Sequence, residues 1–79
     1  MDRTNIFKRI NTVFNNVLED NIEIKESYTH YDVDGWDSLT HIMLIVEIEK
    51  EFNLKFTSSE MITWQNIGEM IDCIEKKLN

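Results

Sequence analysis

The sequence contains no proline and only two glycines, Gly35 and Gly68. Because these two residue types break helices most strongly, their scarcity favours helices joined by short polar loops. The single cysteine, Cys73, cannot form an internal disulfide, which is typical of proteins in a reducing cytoplasm. No secretion signal opens the chain, and no apolar run approaches the roughly 20 residues of a membrane-spanning helix. We therefore expect a water-soluble, cytoplasmic, all-α protein.

Basic residues are also few, since 8 lysines and arginines stand against 15 acidic residues and give a net charge of −7. A chain of this charge repels a phosphate backbone, which argues against nucleic acid as a partner. The imbalance is concentrated in residues 19–51, which hold ten acidic residues and two lysines. A field of one sign either steers basic partners to the surface or only keeps the protein soluble, and composition alone does not decide between them.

The length of 79 residues predicts a single domain, residues 1–79, near the lower limit for a chain that folds unaided. A domain of this size uses most of its apolar residues to close one core. It has little chain left to build a deep catalytic cleft. We therefore expect function to lie on the surface of a monomer.

Apolar periodicity predicts four helices. The first covers about residues 2–19, where Ile6, Ile10, Val13 and Val17 recur at three- and four-residue intervals. Residues 20–37 lack this period and form a long acidic connection, the kind of loop that often carries function.

The second helix is expected to start near Ser38 with Asp37 as its cap and to end at Asn53, which tolerates a left-handed conformation. Thr57 and Glu60 have the spacing of a capping box and predict a short third helix. The last helix is expected to begin after a Thr63 cap and to run to Leu78, with Gly68 as a weak point. Together these form a small four-helix bundle with three longer helices and a short third one.

The segment Asp34-Gly35-Trp36-Asp37-Ser38-Leu39 carries the most chemical information. It places a flexible glycine, a capping acid and a serine hydroxyl at the start of a helix, where the positive end of the dipole favours an attached phosphate. His41 lies three residues further on, but no oriented acid accompanies it, so another enzyme would have to activate the serine. In an arbitrary protein the same Asp-Ser pair would be only a helix cap.

Gly35-Trp36-Asp37-Ser38-Leu39 resembles the Gly-x-Asp-Ser-Leu signature of acyl carrier proteins. The likeness is strongest over residues 35–56, and in length, order of elements and charge it covers essentially the whole chain. It implies that a magnesium-dependent phosphopantetheinyl transferase attaches 4'-phosphopantetheine from coenzyme A to Ser38. The thiol of this arm would then hold an acyl or aminoacyl group as a thioester and present it to loading, transfer or synthase enzymes.

The resemblance also assigns roles to neighbouring residues. Asp37 would help to position the metal and the transferase, and Leu39 would lie in the same contact. The second helix would be the main docking surface for partner enzymes, through Glu47, Glu49 and Glu51. The carrier itself would catalyse nothing and would hold no resident metal.

Several positions depart from the common fatty-acid carrier pattern, which places acids two and five residues after the serine. Here those positions hold Thr40 and Met43, and Lys50 interrupts the later acids. Trp36 is also bulkier than the small residue that often precedes the Asp-Ser pair. These departures indicate a specialised carrier, for surface-polysaccharide, glycan or secondary-metabolite acylation, over a housekeeping carrier of fatty acid biosynthesis.

Two other classes of function are open to comparison. Asp32, Asp34 and Gly35 fall at the third, fifth and sixth positions of a calcium-binding loop, but His30 and His41 occupy its first and twelfth positions, where acids are needed. A plain protein-interaction bundle would share the fold and the acidity, and would differ only in tolerating Ser38→Ala.

The remaining conspicuous residues are expected to have structural roles. Met43 is either a partner contact or an edge of the core. Trp64 is expected in the core or at a cap, and Cys73 as a small buried apolar residue. His30 and His41 are too isolated in the sequence to indicate a zinc site.

Overall fold

A computed structural model of the protein describes residues 1–78, which form four α-helices. Helix α1 is Arg3–Leu18, α2 is Ser38–Phe52, α3 is Ser58–Thr63 and α4 is Ile67–Leu78. The described residues contain no strand. This confirms the predicted all-α bundle with a short third helix. No helix among these residues is long and apolar enough to span a bilayer.

The predicted boundaries of α1 are confirmed within one residue. Asp2 caps its start, where the carboxylate accepts a hydrogen bond of 2.9 Å from the backbone N–H of Asn5. Glu19 ends the helix in the left-handed conformation at φ 52°. The face between these caps buries Ile6, Ile10, Val13 and Phe14, because apolar residues at this spacing share one side of a helix.

The core lies between α1, α2 and α4, with contributions from the connecting loops. Helix α3 contributes no buried residue. The buried apolar side chains are Ile6, Ile10, Val13, Phe14, Ile24, Val33, Trp36, Leu44, Ile45, Ile48, Phe52, Phe56, Ile67, Met70, Ile71 and Ile74. The described residues bury no charged or polar side chain, so the bundle is stabilised mainly by the removal of apolar surface from water.

The long connection between α1 and α2 has no regular secondary structure, as predicted, yet α1 holds it in place through two asparagines. The Asn15 side chain accepts from the backbone N–H of Ile22 at 2.6 Å and donates to its carbonyl at 3.0 Å. Asn11 accepts from the N–H of Ile24 at 2.8 Å. These bonds satisfy backbone groups that have no helical or strand partner, and they fix the direction in which the loop leaves α1.

Arg3 ties the same loop to the last helix. Its guanidinium pairs with Glu26 at 2.6 Å and with Asp72 at 2.7 Å, and it also pairs with Glu75. The hydrogen bond from Arg3 is the main reason that the pKa of Glu26 lies below its ordinary value. The cluster therefore joins α1, the middle of the loop and α4 by charge.

The predicted start of the last helix was wrong. Thr63 is the final residue of α3 and does not cap α4, which begins at Ile67. Asn66 takes the capping role, since its side-chain oxygen accepts from the N–H of Glu69 at 2.9 Å. Trp64 instead caps the end of α3 in extended conformation, although its three-residue spacing from Ile67 fits the helical period.

Gly68 was predicted to weaken the last helix, but it is buried against the long loop. Its N–H donates to the carbonyl of Glu26 at 2.8 Å, and a Cβ at this position would lie 3.3 Å from that same oxygen. This contact and one of 3.2 Å to the side-chain oxygen of Asn66 are tighter than ordinary van der Waals contact, so an alanine here would require these neighbours to shift slightly. Glycine therefore favours the close approach of the two backbones at this position.

Candidate functional site

The start of α2 presents Ser38 to solvent as the first helical residue. Asp37 precedes it in extended conformation and caps the helix by accepting a 2.8 Å hydrogen bond from the N–H of Thr40. This backbone bond is the largest cause that lowers the pKa of Asp37 below its ordinary value. Asp37 is therefore ionised at neutral pH, and the hydroxyl of Ser38 lies beside both a fixed carboxylate and the positive end of the helix dipole.

The turn before α2 depends on Gly35, which adopts φ 83°. The nearest atom to a Cβ at this position would be Cδ2 of Leu18 at 3.5 Å, an ordinary contact, so the backbone angle and not the space requires glycine. Backbone bonds from Trp36 N–H to Val33 and from Asp37 N–H to Gly35 complete the turn.

Trp36 anchors this turn to the core. Its side chain is 8% exposed and meets Phe14 of α1 edge to face, with ring centroids 5.0 Å apart. Geometry of this kind is favourable for aromatic pairs. Trp36 thus holds Asp37 and Ser38 at a fixed position on the surface. The sequence showed only that this residue is bulkier than the one often found before the Asp-Ser pair.

An open groove of about 560 Å³ lies next to Ser38, between the start of α2 and the segment around α3. Its walls include the aromatic side chains of Trp36, His41 and Trp64. The full lining is Thr29, His30, Trp36, Asp37, Ser38, His41, Met61, Ile62, Trp64, Gln65, Asn66 and Met70. Both tryptophans and both histidines of the sequence therefore line the groove beside Ser38, the predicted modification site.

His41 links the elements around this groove. The indole N–H of Trp36 donates to Nδ1 of His41 at 3.0 Å, and Nε2 of His41 lies 3.0 Å from the carbonyl oxygen of Met61. Both nitrogens are occupied, so the imidazole is not free to take a proton from Ser38. Sequence reasoning treated His41 as isolated, because the contact to α3 joins residues 20 positions apart and leaves no periodic signal.

The outer face of α2 is apolar and exposed. Leu39, Ile42, Met43 and Val46 have exposed fractions of 68%, 59%, 47% and 42%. Ile62 of α3 is 84% exposed. We call these five residues the exposed face. Met43 therefore lies on the surface and not at an edge of the core.

The three acids assigned to docking have different surroundings. Glu49 accepts a hydrogen bond of 2.9 Å from the N–H of Phe56, so it supports the chain that leaves α2. Glu51 pairs with Arg9 of α1 at 2.8 Å, and Glu47 lies 3.5 Å from Lys50 on its own helix. Glu49 and Glu51 are therefore already bonded within the protein, whereas the apolar side chains of the exposed face are open to solvent.

The other residues singled out by the sequence have local roles. Asp32 accepts from the N–H of Thr29 at 2.9 Å and so closes a turn in the long loop. Within residues 1–78, no three side chains of the types that bind metals come together. Cys73 is only partly buried, contrary to prediction, and its thiol lies 3.6 Å from a carboxylate oxygen of Glu60. Burial and this neighbouring charge raise the pKa of Cys73, which keeps it a neutral thiol.

Comparison with known proteins identifies the family to which the chain belongs. Residues 8–74 match the family model of the phosphopantetheine attachment site. The chain is 29% identical over 77 residues to the acyl carrier protein of Thermotoga maritima, covering 96% of this chain and 95% of that protein.

A solved structure shows the same arrangement of helices. The solution NMR structure of the holo acyl carrier protein of Geobacter metallireducens superimposes with a TM-score of 0.85 at 32% sequence identity, covering 92% of this chain and 85% of that one. The four-helix fold and the match over most of the chain lead to one conclusion: the chain belongs to the acyl carrier protein family, whose members are non-catalytic carriers with a covalently attached phosphopantetheine group.

Proposed function

We propose that Ser38 is the attachment residue for 4'-phosphopantetheine and that residues 1–79 act as one carrier domain. The observation that carries this proposal is the exposed hydroxyl of Ser38 at the first position of α2, directly after the capping carboxylate of Asp37. It lies within Gly35-Trp36-Asp37-Ser38-Leu39, the segment that resembles the family signature. When bound, the arm supplies a thiol that holds an acyl or aminoacyl group as a thioester.

The surroundings of Ser38 fit a phosphate ester. A phosphodiester on Oγ would lie at the N-terminal end of a 15-residue helix, where the backbone amides and the dipole favour negative charge. The carboxylate of Asp37 already offsets part of the positive charge at this end of the helix. A phosphodiester is therefore stabilised less here than at an uncapped helix. The Trp36 anchor keeps the hydroxyl on the outside of the bundle, where a second protein can reach it.

The attachment step belongs to another enzyme, because His41 has both nitrogens engaged and offers no general base. A phosphopantetheinyl transferase would bring coenzyme A and Mg²⁺ to Ser38. A bond forms between Oγ and the phosphorus, the adenosine bisphosphate leaves, and the hydroxyl proton passes to the transferase. Asp37 is proposed to help position the metal, because its carboxylate is ionised and has further acceptor positions beyond the bond to Thr40.

Partner enzymes are proposed to dock on α2. Leu39 and Met43 next to Ser38 supply apolar contact, while Glu47, Glu49 and Glu51 supply charge further along the helix. Since Thr40 and Met43 stand where fatty-acid carriers usually have acids, partners with a less basic surface fit this helix best. We therefore propose a specialised acylation pathway, in the cytoplasm and with the carrier as a monomer.

The test is transfer of the arm to the purified protein. Incubation with coenzyme A, Mg²⁺ and a broad-specificity transferase should add one phosphopantetheine group by intact mass. Ser38→Ala should add none while remaining folded by circular dichroism. Ser58→Ala is a matched control, because Ser58 is also an exposed first residue of a helix and also follows a capping residue, Thr57.

The control variant should be modified like the wild type. Absence of modification in folded wild-type protein would contradict the proposal and would favour a protein-interaction bundle that carries no arm.

A further inference from the structure

The last turn of α3 is bonded by a residue from another helix. The final carbonyl groups of a helix have no partner within it and need a donor from elsewhere. At the end of α1 this donor is local, because the N–H of Glu19, in left-handed conformation, donates to the carbonyl of Asn15. Helix α3 ends instead at Trp64 in extended conformation, and Nε2 of His41 lies 3.0 Å from the carbonyl oxygen of Met61. His41 therefore caps α3 from α2.

The partners of His41 determine which of its nitrogens carries the proton. The indole N–H of Trp36 donates to Nδ1 at 3.0 Å, so Nδ1 must accept. The carbonyl oxygen of Met61 only accepts, so Nε2 must donate. Trp36 is buried against Phe14, which fixes its side of this connection. A neutral imidazole protonated on Nε2 therefore ties α3 to the fixed start of α2.

Helix α3 has few contacts that hold it in position. It has six residues, and none of them is buried. Glu60 pairs with Lys77 of α4 at 2.9 Å, and the half-buried side chain of Met61 packs against the core. The ion pair holds α3 on the side of α4, whereas the bond from His41 holds it on the side of α2. Without the bond from His41, α3 can move away from α2 while its link to α4 remains.

The position of α3 determines one wall of the groove beside Ser38. Ser38 lines this groove from α2, and Ile62 lines it from α3. Ile62 directly follows Met61, and its side chain is 84% exposed. The bond from His41 to Met61 therefore fixes how far Ile62 lies from Ser38 across the groove.

We infer that His41 is a positioning residue for arm transfer, whose bond to Met61 holds Ile62 where a transferase that reaches Ser38 also meets an apolar contact on α3. The inference rests on the proposed attachment of the arm to Ser38. His41 touches no reacting atom in this scheme. It acts through Ile62, so its loss should weaken recognition of the carrier and leave the chemical step unchanged.

Two amide substitutions separate the two bonds of His41. The amide of asparagine reaches as far as Nδ1 of histidine, whereas that of glutamine reaches as far as Nε2. His41→Asn should therefore keep the bond from Trp36 and lose the tie to α3, and His41→Gln should keep the tie.

The readout is the kinetics of arm transfer by a broad-specificity phosphopantetheinyl transferase with coenzyme A and Mg²⁺. His41→Asn should raise KM for the carrier by about tenfold and leave kcat within about twofold of wild type. His41→Gln should leave both constants within about twofold of wild type, because its amide restores the donor to Met61.

Ile62→Ala tests whether His41 acts through this side chain. By itself it should raise KM by about tenfold, because it removes the contact that His41 positions. Combined with His41→Asn, it should raise KM no further, since two substitutions that remove one contact are not additive. Effects of the two substitutions that multiply would show that His41 supports the site by another route, and would overturn the inference.

His30→Asn is the matched control. His30 lines the same groove from the long loop, where its ring lies 4.0 Å from that of Tyr31. Its KM should equal that of the wild type. A wild-type KM in folded His41→Asn, or a KM raised as much in His41→Gln as in His41→Asn, would contradict the positioning role.

Two further results keep this inference separate from the proposed function. If folded wild-type protein accepts no arm, the attachment proposal fails and the positioning role falls with it. If wild type and His41→Asn load equally well, attachment stands and only the positioning role fails. Should His41→Asn not fold, Ile62→Ala and the nitrogen chemical shifts of wild-type His41 decide, since an unchanged KM in Ile62→Ala or a proton on Nδ1 would overturn the inference.

Discussion

The two faces of α2 are equally apolar in sequence but have different surroundings. Leu44, Ile45, Ile48 and Phe52 are buried against the rest of the bundle, whereas Leu39, Ile42, Met43 and Val46 remain exposed. A helix that is apolar on both sides normally has a second partner to cover the outer side. The inner face therefore stabilises the fold, and the exposed face next to Ser38 is available to other proteins.

The largest expected effect separates the two faces by stability. Ile48 is fully buried, so Ile48→Ala should lower the free energy of unfolding by about 2–5 kcal/mol through lost burial and the cavity left behind. Ile42 is 59% exposed, and Ile42→Ala should change the free energy of unfolding by less than about 0.5 kcal/mol. Urea unfolding of both variants measures the difference. Similar losses in the two variants would mean that the faces are not divided as described.

The second largest expected effect distinguishes the two faces of α2 by their part in recognition of the transferase. When the carrier concentration limits the rate, Leu39→Ala should slow transfer of the phosphopantetheine arm by about tenfold, because a central apolar contact with the transferase is lost. This corresponds to about 1.4 kcal/mol of binding free energy. Its stability should remain that of the wild type, because Leu39 is 68% exposed. Lys76→Ala, at an exposed position on α4, serves as the control. An unchanged transfer rate in Leu39→Ala would remove the exposed face from the docking proposal.

A smaller effect is expected from the acids of the same helix. Glu47→Gln should slow transfer by less than about twofold, because an exposed charge at the rim mainly affects the encounter rate and is screened by salt. The rate should be measured at low and high salt, where the difference between Glu47→Gln and wild type should disappear at high salt. A loss larger than that of Leu39→Ala would show that charge, and not apolar contact, dominates docking.

The smallest effect concerns α3, which carries Ile62 of the exposed face but buries nothing. Glu60 completes the capping box with Thr57 and pairs with Lys77, and these contacts lower the pKa of Glu60 to about 2. A carboxyl whose pKa is lowered on folding stabilises the protein above its unfolded pKa of about 4.3, and this stabilisation is lost as the pH falls towards 2.

Thermal unfolding of wild type and Glu60→Gln at neutral and acid pH tests this dependence. Wild type should be more stable than the variant at neutral pH, and the difference should shrink as the pH falls from about 4.3 through about 2. A difference that persists unchanged into acid would show that the ionised form of Glu60 does not support α3.

Local signals in the sequence predicted much of this structure. Asp37, Asn53 and the Thr57–Glu60 capping box are set by neighbours within four residues, and all three are confirmed. The period of apolar residues likewise predicted α1. Such features depend on short-range geometry, which one sequence contains in full.

The features that sequence reasoning missed depend on distant contacts. Apolar residues recur at helical spacing on two sides of α2, at Leu39, Ile42 and Val46 and at Ile45, Ile48 and Phe52, and this period does not show which side meets α1. The start of α4 depends on Asn66 and on the close contact of Gly68 with the loop at Glu26. The link from His41 to Trp36 and Met61 needs the loop, α2 and α3 in place before it exists. Tertiary packing creates these contacts, so no local sequence pattern predicts them.

The central claim is that the hydroxyl at the start of α2 carries the arm, and fragment mass spectrometry of the loaded protein tests it most directly. The account predicts that the added mass lies on Ser38 alone, within the fragment that contains Gly35 to Leu39. An added mass on Ser27, Ser58 or Ser59, or a loaded fragment without Ser38, would contradict it.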